Sequence, residues 1–184
     1  MPLAPTGQAS VVVDKAAHIV QSLIAEIGAR NVSVIGDSSG GGMALAVAME
    51  LRDRKHEPLR AIVLSAPWLD ISGTDPKLAE IAPSDPWLAV PGTKAAGALY
   101  RAELSETDWR VSPIHGDLTG LGPITVFTGT RDIVHADALR LNAKAAEQGI
   151  SLDFRVGEGM IHNYPILPIP EGTAARAVIT AAIS

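Results

Sequence analysis

Apolar positions recur along this chain with two periods. Between Val11 and Ile27 they fall at Val12, Ala16, Ile19, Val20, Leu23 and Ile27, the spacing of one helix face, and Gly28 stops the helix. The segment NVSVIG at 31–36 is short and β-branched, which predicts a strand. A second helix is expected over 39–55. Its stretch MALAVAM is apolar on every side, so this helix should be deeply buried. LRAIVLSAP at 59–67, PITVFTG at 123–129 and SLDFRV at 151–156 read as further strands. Helices are expected at about 137–148 and from about Glu171, the latter with Pro170 in its first turn. Residues 1–10, with two prolines, read as a loop.

Strands alternating with helices imply a mostly parallel sheet with helices on both faces, an α/β fold. The strands are nearly continuous in apolar residues, as expected when both faces are covered. One connection is out of proportion. Between Pro67 and Pro123 the chain runs far beyond a crossover loop. Within it DPKLAEIA, with Asp75 as cap and Pro76 following, and GTKAAGALYRAEL predict short helices. A partial helical lid inserted at about 70–115, over the C-terminal edge of the sheet, is the expected arrangement for a chain read as one domain over 1–184.

Composition narrows the chemistry. The 184 residues carry a net charge of −5, which disfavours nucleic acid and anionic membrane surfaces as partners. There is no cysteine, so disulfides, thiolate metal sites and a thiol nucleophile are excluded. No apolar run approaches the roughly 18 residues that span a bilayer, so no stable membrane insertion is expected. With Met1 as the natural start and no signal peptide, the cytoplasm is the expected location.

The densest cluster of small and reactive residues is Gly36-Asp37-Ser38-Ser39-Gly40, between a predicted strand and a buried helix. A phosphate cradle fails, because Met43 and Ala44 stand where a Walker loop needs Lys and Ser or Thr. A dinucleotide fingerprint fails at Leu45. The pattern Gly-x-Ser-x-Gly at a strand-to-helix turn fits a nucleophile elbow. Ser38 then stands above the sheet, and the Ser39 N–H, at the positive end of the helix, faces a developing oxyanion.

A serine hydroxyl needs a base, and the base needs an orienting carboxylate. Asp132 follows the strand at 123–129 and His162 follows the strand at 151–156, which places both in loops at the same sheet edge as Ser38. Asp137 is a rival acid, read here as the cap of the helix beginning there. The other histidines, His18, His56, His115 and His135, suit surface or packing roles. His135 with Asp137 has no third partner for a metal. Trp68 and Trp87 read as core and lid packing.

The blocks GDSSGGG, LSAPWLDIS, GTRDIVHADA and GMIHNYP, in that order, resemble the hormone-sensitive-lipase-like branch of the α/β-hydrolases, the bacterial esterases and lipases. The resemblance covers nearly the whole chain. It implies an α/β-hydrolase fold with Ser38 as nucleophile, Asp132 as acid, His162 as base and the Ser39 N–H in the oxyanion hole. It also implies a carboxylic-ester hydrolase for short- to medium-chain acyl esters, and no cofactor or metal. Ser39 replaces the family's usual alanine, and Asn163 replaces its usual glycine after the histidine.

The family's His-Gly-Gly-Gly segment, which supplies further oxyanion donors, is absent here, and PLAP at 2–5 matches a family segment that follows the fourth strand. The resemblance therefore implies that the first four strands are lacking and that the strand at 31–36 shows an unpaired apolar edge. A second chain or oligomer covering that edge is the corresponding partner. The alternative function is a catalytically incomplete fragment that pairs with another chain there. Acyl transfer and peptide hydrolysis on the same three residues stay open.

Overall fold

The computed structural model describes residues 2–184; of the loop expected over 1–10, Met1 lies outside the described residues. Four strands, β1 (Ser33–Asp37), β2 (Ala61–Ser65), β3 (Ile124–Gly129) and β4 (Asp153–Gly157), pair in that order, every pair parallel. Crossovers run through α2 (Ser39–Asp53) between β1 and β2, and through α5 (His135–Glu147) between β3 and β4. Helix α1 (Ala9–Ile27) precedes the sheet and α6 (Pro170–Ile183) follows it. This is the parallel α/β sheet with flanking helices expected from the sequence.

Alternation along the strands sorts their side chains onto two faces. Ile62 and Leu64 of β2 join Ile124 and Val126 of β3 in the main core, under α2 and α5, with Val13 and Ala17 of α1 packed against it. Val63 and Phe127 point the other way and meet Ala175 of α6 and Tyr164, which lies in the turn before that helix. The stretch 44–49 of α2 is buried throughout, as its all-round apolarity demands.

Burial of the strands on both faces holds only for β2 and β3. The outer strands β1 and β4 are largely half-buried or exposed. Ile35 of β1 pairs with Val63 in register and so shares its face, yet it is 51% exposed and lies outside the cluster that Val63 forms with α6.

The elements begin and end where backbone geometry dictates. Helix α1 starts at Ala9, two residues before the periodic run, because extended Gln8 accepts the Val11 and Val12 N–H groups. Lys55 takes φ 68°, which ends α2 at Asp53 instead of 55. Strand β2 stops at Ser65, where Ala66 turns to φ 43° and Pro67 has no N–H to give.

Helix α5 starts at His135, whose N–H donates to the Asp132 carbonyl. Asp137 therefore lies inside the first turn, and its reading as a helix cap is corrected. In the long connection between β2 and β3, α3 (Pro76–Ile81) and α4 (Val90–Arg101) form as expected, with Asp75 Oδ1 accepting the Lys77 N–H at 2.8 Å. Among the described residues no helix is long and apolar enough to cross a membrane.

Candidate active site

Strand β1 delivers the chain to Ser38, which adopts φ 53° and ψ −120°, outside the regions open to most L-residues. Such a conformation costs on the order of 1–3 kcal/mol and persists only where its surroundings over-determine it. Here they do. The Ser38 N–H donates to the Ser65 carbonyl at 2.9 Å, and the Ser38 carbonyl accepts from Gly41, Gly42 and Trp68 at 3.0–3.2 Å. Small residues are required around the turn. A Cβ on Gly36 would run into the Gly40 carbonyl, and one on Gly42 into the Trp68 carbonyl. Ser38 is half-buried and Ser39 exposed. The Ser39 N–H heads α2 and donates to no other group among the described residues.

Two loops on the same edge bring the remaining groups. Asp132, fully buried after β3, accepts the Val134 N–H through Oδ1 at 3.1 Å and the His162 Nδ1–H through Oδ2 at 2.8 Å. His162, after β4, is 5% exposed. With Nδ1 donating to the carboxylate, neutral His162 carries its free lone pair on Nε2, the tautomer a general base needs. The structure thus places Asp132 and His162 in direct contact. Among the described residues no hydrogen bond joins the Ser38 hydroxyl to His162; such bonds commonly tighten only when substrate is bound.

Ser38 lies in the walls of two cavities. One, of about 540 Å³, is lined by Leu3, Asp37, Met43, Trp68 and Tyr100. The other, of about 440 Å³, is lined by Trp68, Trp87, Leu88, Thr93 and Val134. Helix α4 contributes to both through Ala96. Trp68 packs against the core and also walls both cavities, whereas Trp87, expected as lid packing, is 55% exposed and lines the second cavity. The Trp87 ring also stands edge-on to His162, with centroids 6.4 Å apart. Asp85 ties this region to the acid loop, since its Oδ2 accepts the Ile133 N–H at 2.8 Å while its Oδ1 accepts from Trp87 and Leu88.

The rival acid has a different occupation. Asp137 Oδ2 accepts the Leu69 and Asp70 N–H groups at 3.1 and 3.0 Å, and its Oδ1 lies 3.6 Å from Arg140. It faces the loop after β2 and holds it. His135 shares a 3.0 Å hydrogen bond with Thr128 Oγ1, and burial pushes its pKa down, which suits the packing role expected of it.

Asp85 and Asn163 were not singled out as site residues by the sequence. Asp85 leaves no signal in the chain. Asn163 leaves one, the departure from the glycine usual after the histidine.

A family model described as the alpha/beta hydrolase fold matches residues 2–166. A triacylglycerol lipase of Mycobacterium tuberculosis is 32% identical over 161 residues, which is 88% of this chain and 32% of that protein. An esterase of Acinetobacter venetianus is 29% identical over 182 residues, 97% of this chain and 60% of that protein. Among solved structures, an esterase of the bacterial hormone-sensitive lipase family superposes with a TM-score of 0.89 at 28% identity, covering 99% of this chain and 64% of that one. EstE5, soaked with p-nitrophenyl butyrate, superposes at 0.91 with 26% identity, covering 98% and 62%. This chain thus spans less than two thirds of the length of these relatives. It belongs to the alpha/beta hydrolase fold family, in its hormone-sensitive-lipase-like branch.

Proposed function

We propose that this chain carries the nucleophile, base and acid of a carboxylic-ester hydrolase acting on short- to medium-chain acyl esters. The observation that carries the reading is the buried 2.8 Å pair of His162 and Asp132 at the same sheet edge as Ser38, which is held at φ 53° in the walls of two cavities. Ser38 Oγ attacks the acyl carbonyl carbon while His162 Nε2 takes the hydroxyl proton and Asp132 stabilises the imidazolium. The oxyanion forms toward the Ser39 N–H. Collapse breaks the bond to the alcohol, which leaves with the proton from His162. Water, deprotonated by His162, then attacks the acyl-Ser38 ester and releases the acid. The names of the relatives, lipase and esterase, support the substrate class. A chain without cysteine fits a reducing compartment, and the cytoplasm is the proposed location.

The test is a fluorophosphonate probe on the purified chain beside Ser38→Ala, with the adduct mapped by mass spectrometry. Labelling confined to Ser38, and lost in the variant, is the expected result. Absence of labelling in folded protein would overturn the assignment for this chain.

A second reading is favoured by the exposed edge of the sheet. Ile35 stands in the open on β1, and Ile19, Leu23 and Ile27 of α1 are also exposed. Strand β4, the other edge, carries the protective charges Asp153 and Arg155, whereas β1 carries none before Asp37. On this reading another polypeptide covers β1 and contributes oxyanion donors. One donor alone leaves the rate about a hundred- to a thousandfold short. Ile35→Lys is expected to shift the sedimentation profile of the chain from associated species toward monomer. A wild-type chain already monomeric at tens of micromolar would count against self-pairing and leave a different polypeptide as the partner to seek.

A further inference from the structure

The base and the nucleophile follow the two outermost strands of the sheet. His162 follows β4 and Ser38 follows β1, with β2 and β3 between them. Parallel neighbours lie about 4.8 Å apart, so the two loops spring from strands roughly 14 Å distant. Proton transfer needs the two side chains to meet within about half an ångström of productive geometry.

The loop around His162 has several ties to the loop after β3. The Thr130 N–H donates to the Gly157 carbonyl, the Arg131 N–H to the Met160 carbonyl, the Gly159 N–H to Thr130 Oγ1, and His162 itself to Asp132. None of these reaches β1.

Asn163 does. Its backbone takes φ 53° and ψ 33°, the left-handed region that asparagine tolerates better than most side chains. That turn sends the side chain back under the site, where it is 6% exposed. Its Nδ2–H donates to Asp37 Oδ2 at 3.2 Å, and its Oδ1 accepts the Ser65 hydroxyl at 3.3 Å. Asp37 immediately precedes the nucleophile, and the Ser65 carbonyl accepts the Ser38 N–H. One buried amide thus joins the residue after the base to the two residues that bracket the strained serine. Among the described residues these are the side-chain hydrogen bonds that join the His162 loop to β1 and β2 at the elbow.

We propose that Asn163 is a positioning residue, a clasp that fixes the His162 loop against the nucleophile elbow through Asp37 and Ser65. The inference rests on the hydrolase reading for its catalytic consequence, and on geometry alone for the clasp. A glycine there adopts the same backbone without strain but makes neither bond, which explains why a residue other than the family's glycine is useful at this position.

Asn163→Gly is the informative variant, because glycine accepts φ 53° and the fold is preserved. Two readouts separate the clasp from the chemistry. The rate of Ser38 phosphonylation is expected to fall by about tenfold or more, as a misplaced base predicts. Hydrogen exchange is expected to quicken together in two segments, 36–39 and 160–166, with the core strands unchanged.

A double-mutant cycle guards against a plain gain of glycine flexibility. In an Asp37→Ala, Ser65→Ala background the further change Asn163→Gly should have little effect on either readout. An additive effect, or an unchanged exchange rate at 36–39 in the single variant, would overturn the clasp. If the wild-type chain takes no probe at all, the hydrolase reading fails, while the exchange measurements still decide whether Asn163 joins the two loops.

Discussion

Asp132→Asn is expected to lower the reaction rate of Ser38 with a phosphonate or an activated ester by about 10⁴-fold, with the fold intact. The size follows from what a buried carboxylate does for histidine. Asp132 is fully shielded from solvent and accepts the His162 Nδ1–H at 2.8 Å, so no water can substitute for it. An amide at this position can turn its NH2 toward the ring, which moves the imidazole proton to Nε2 and removes the lone pair that should take the serine proton. It also lacks the charge that stabilises the imidazolium formed during transfer. The packing should survive, because the isosteric carbonyl can still accept the Val134 N–H that Oδ1 now takes at 3.1 Å. Rates measured for Asp132→Asn and Asp137→Asn side by side decide between the two carboxylates that the sequence offered as acid. A drop of only a few fold for Asp132→Asn would remove it from the role. Asp137→Asn should stay within tenfold of wild type, since its carboxylate faces Leu69, Asp70 and Arg140.

The contrast between those two aspartates shows what was legible in the chain. Strand-loop-helix order put Ser38, Asp132 and His162 at one edge of the sheet, because a parallel sheet sends every post-strand loop to the same side. That inference needs only topology. Short, nearly continuous apolar runs likewise located β2 and β3, which the structure buries on both faces.

The occupation of Asp137 needed tertiary contacts. A helix cap and a buried residue one turn further in look alike in sequence, and what distinguishes them is the loop 69–70, distant along the chain, that arrives at Asp137. Asn163 is a similar case. Its departure from the family's glycine was visible in the chain, but its role was not until Asp37 and Ser65 were seen within reach of its amide. The exposure of β1 was legible in a different way. Its Val34 and Ile35 are apolar like the residues of β2, and only the resemblance to longer proteins implied that this edge would be left uncovered. Ile35 at 51% exposure beside fully buried Val63 is the structural form of that statement.

The second large effect concerns stability and pH. Burial pushes the Asp137 carboxyl up to about 7, with the nearby Asp70 charge adding to the rise and the Leu69 and Asp70 N–H groups and Arg140 only partly offsetting it. In the unfolded chain the same group titrates near 3.8. Between these values the unfolded state is ionised while the folded state holds a proton, so raising the pH favours unfolding. The stabilisation is fully present below about 3.8 and is lost as the pH rises through about 7, by an amount on the order of 4 kcal/mol.

Asp70, Asp108 and Asp117 act in the opposite sense. Hydrogen bonds and ion pairs hold their pKa values down, so their contribution is lost only as the pH falls through their lowered folded values. The term from Asp137 is therefore cleanest as a difference. Asp137→Asn keeps a carbonyl oxygen for the two backbone N–H groups but cannot ionise. Urea midpoints for wild type and variant, measured from pH 4.5 to pH 8, should lie close together at the acid end. They should separate progressively toward neutrality, with the variant the more stable. Parallel curves over that range would show that the Asp137 carboxylate is ionised in the folded protein throughout, held by Arg140 and the two N–H groups more firmly than its burial opposes them.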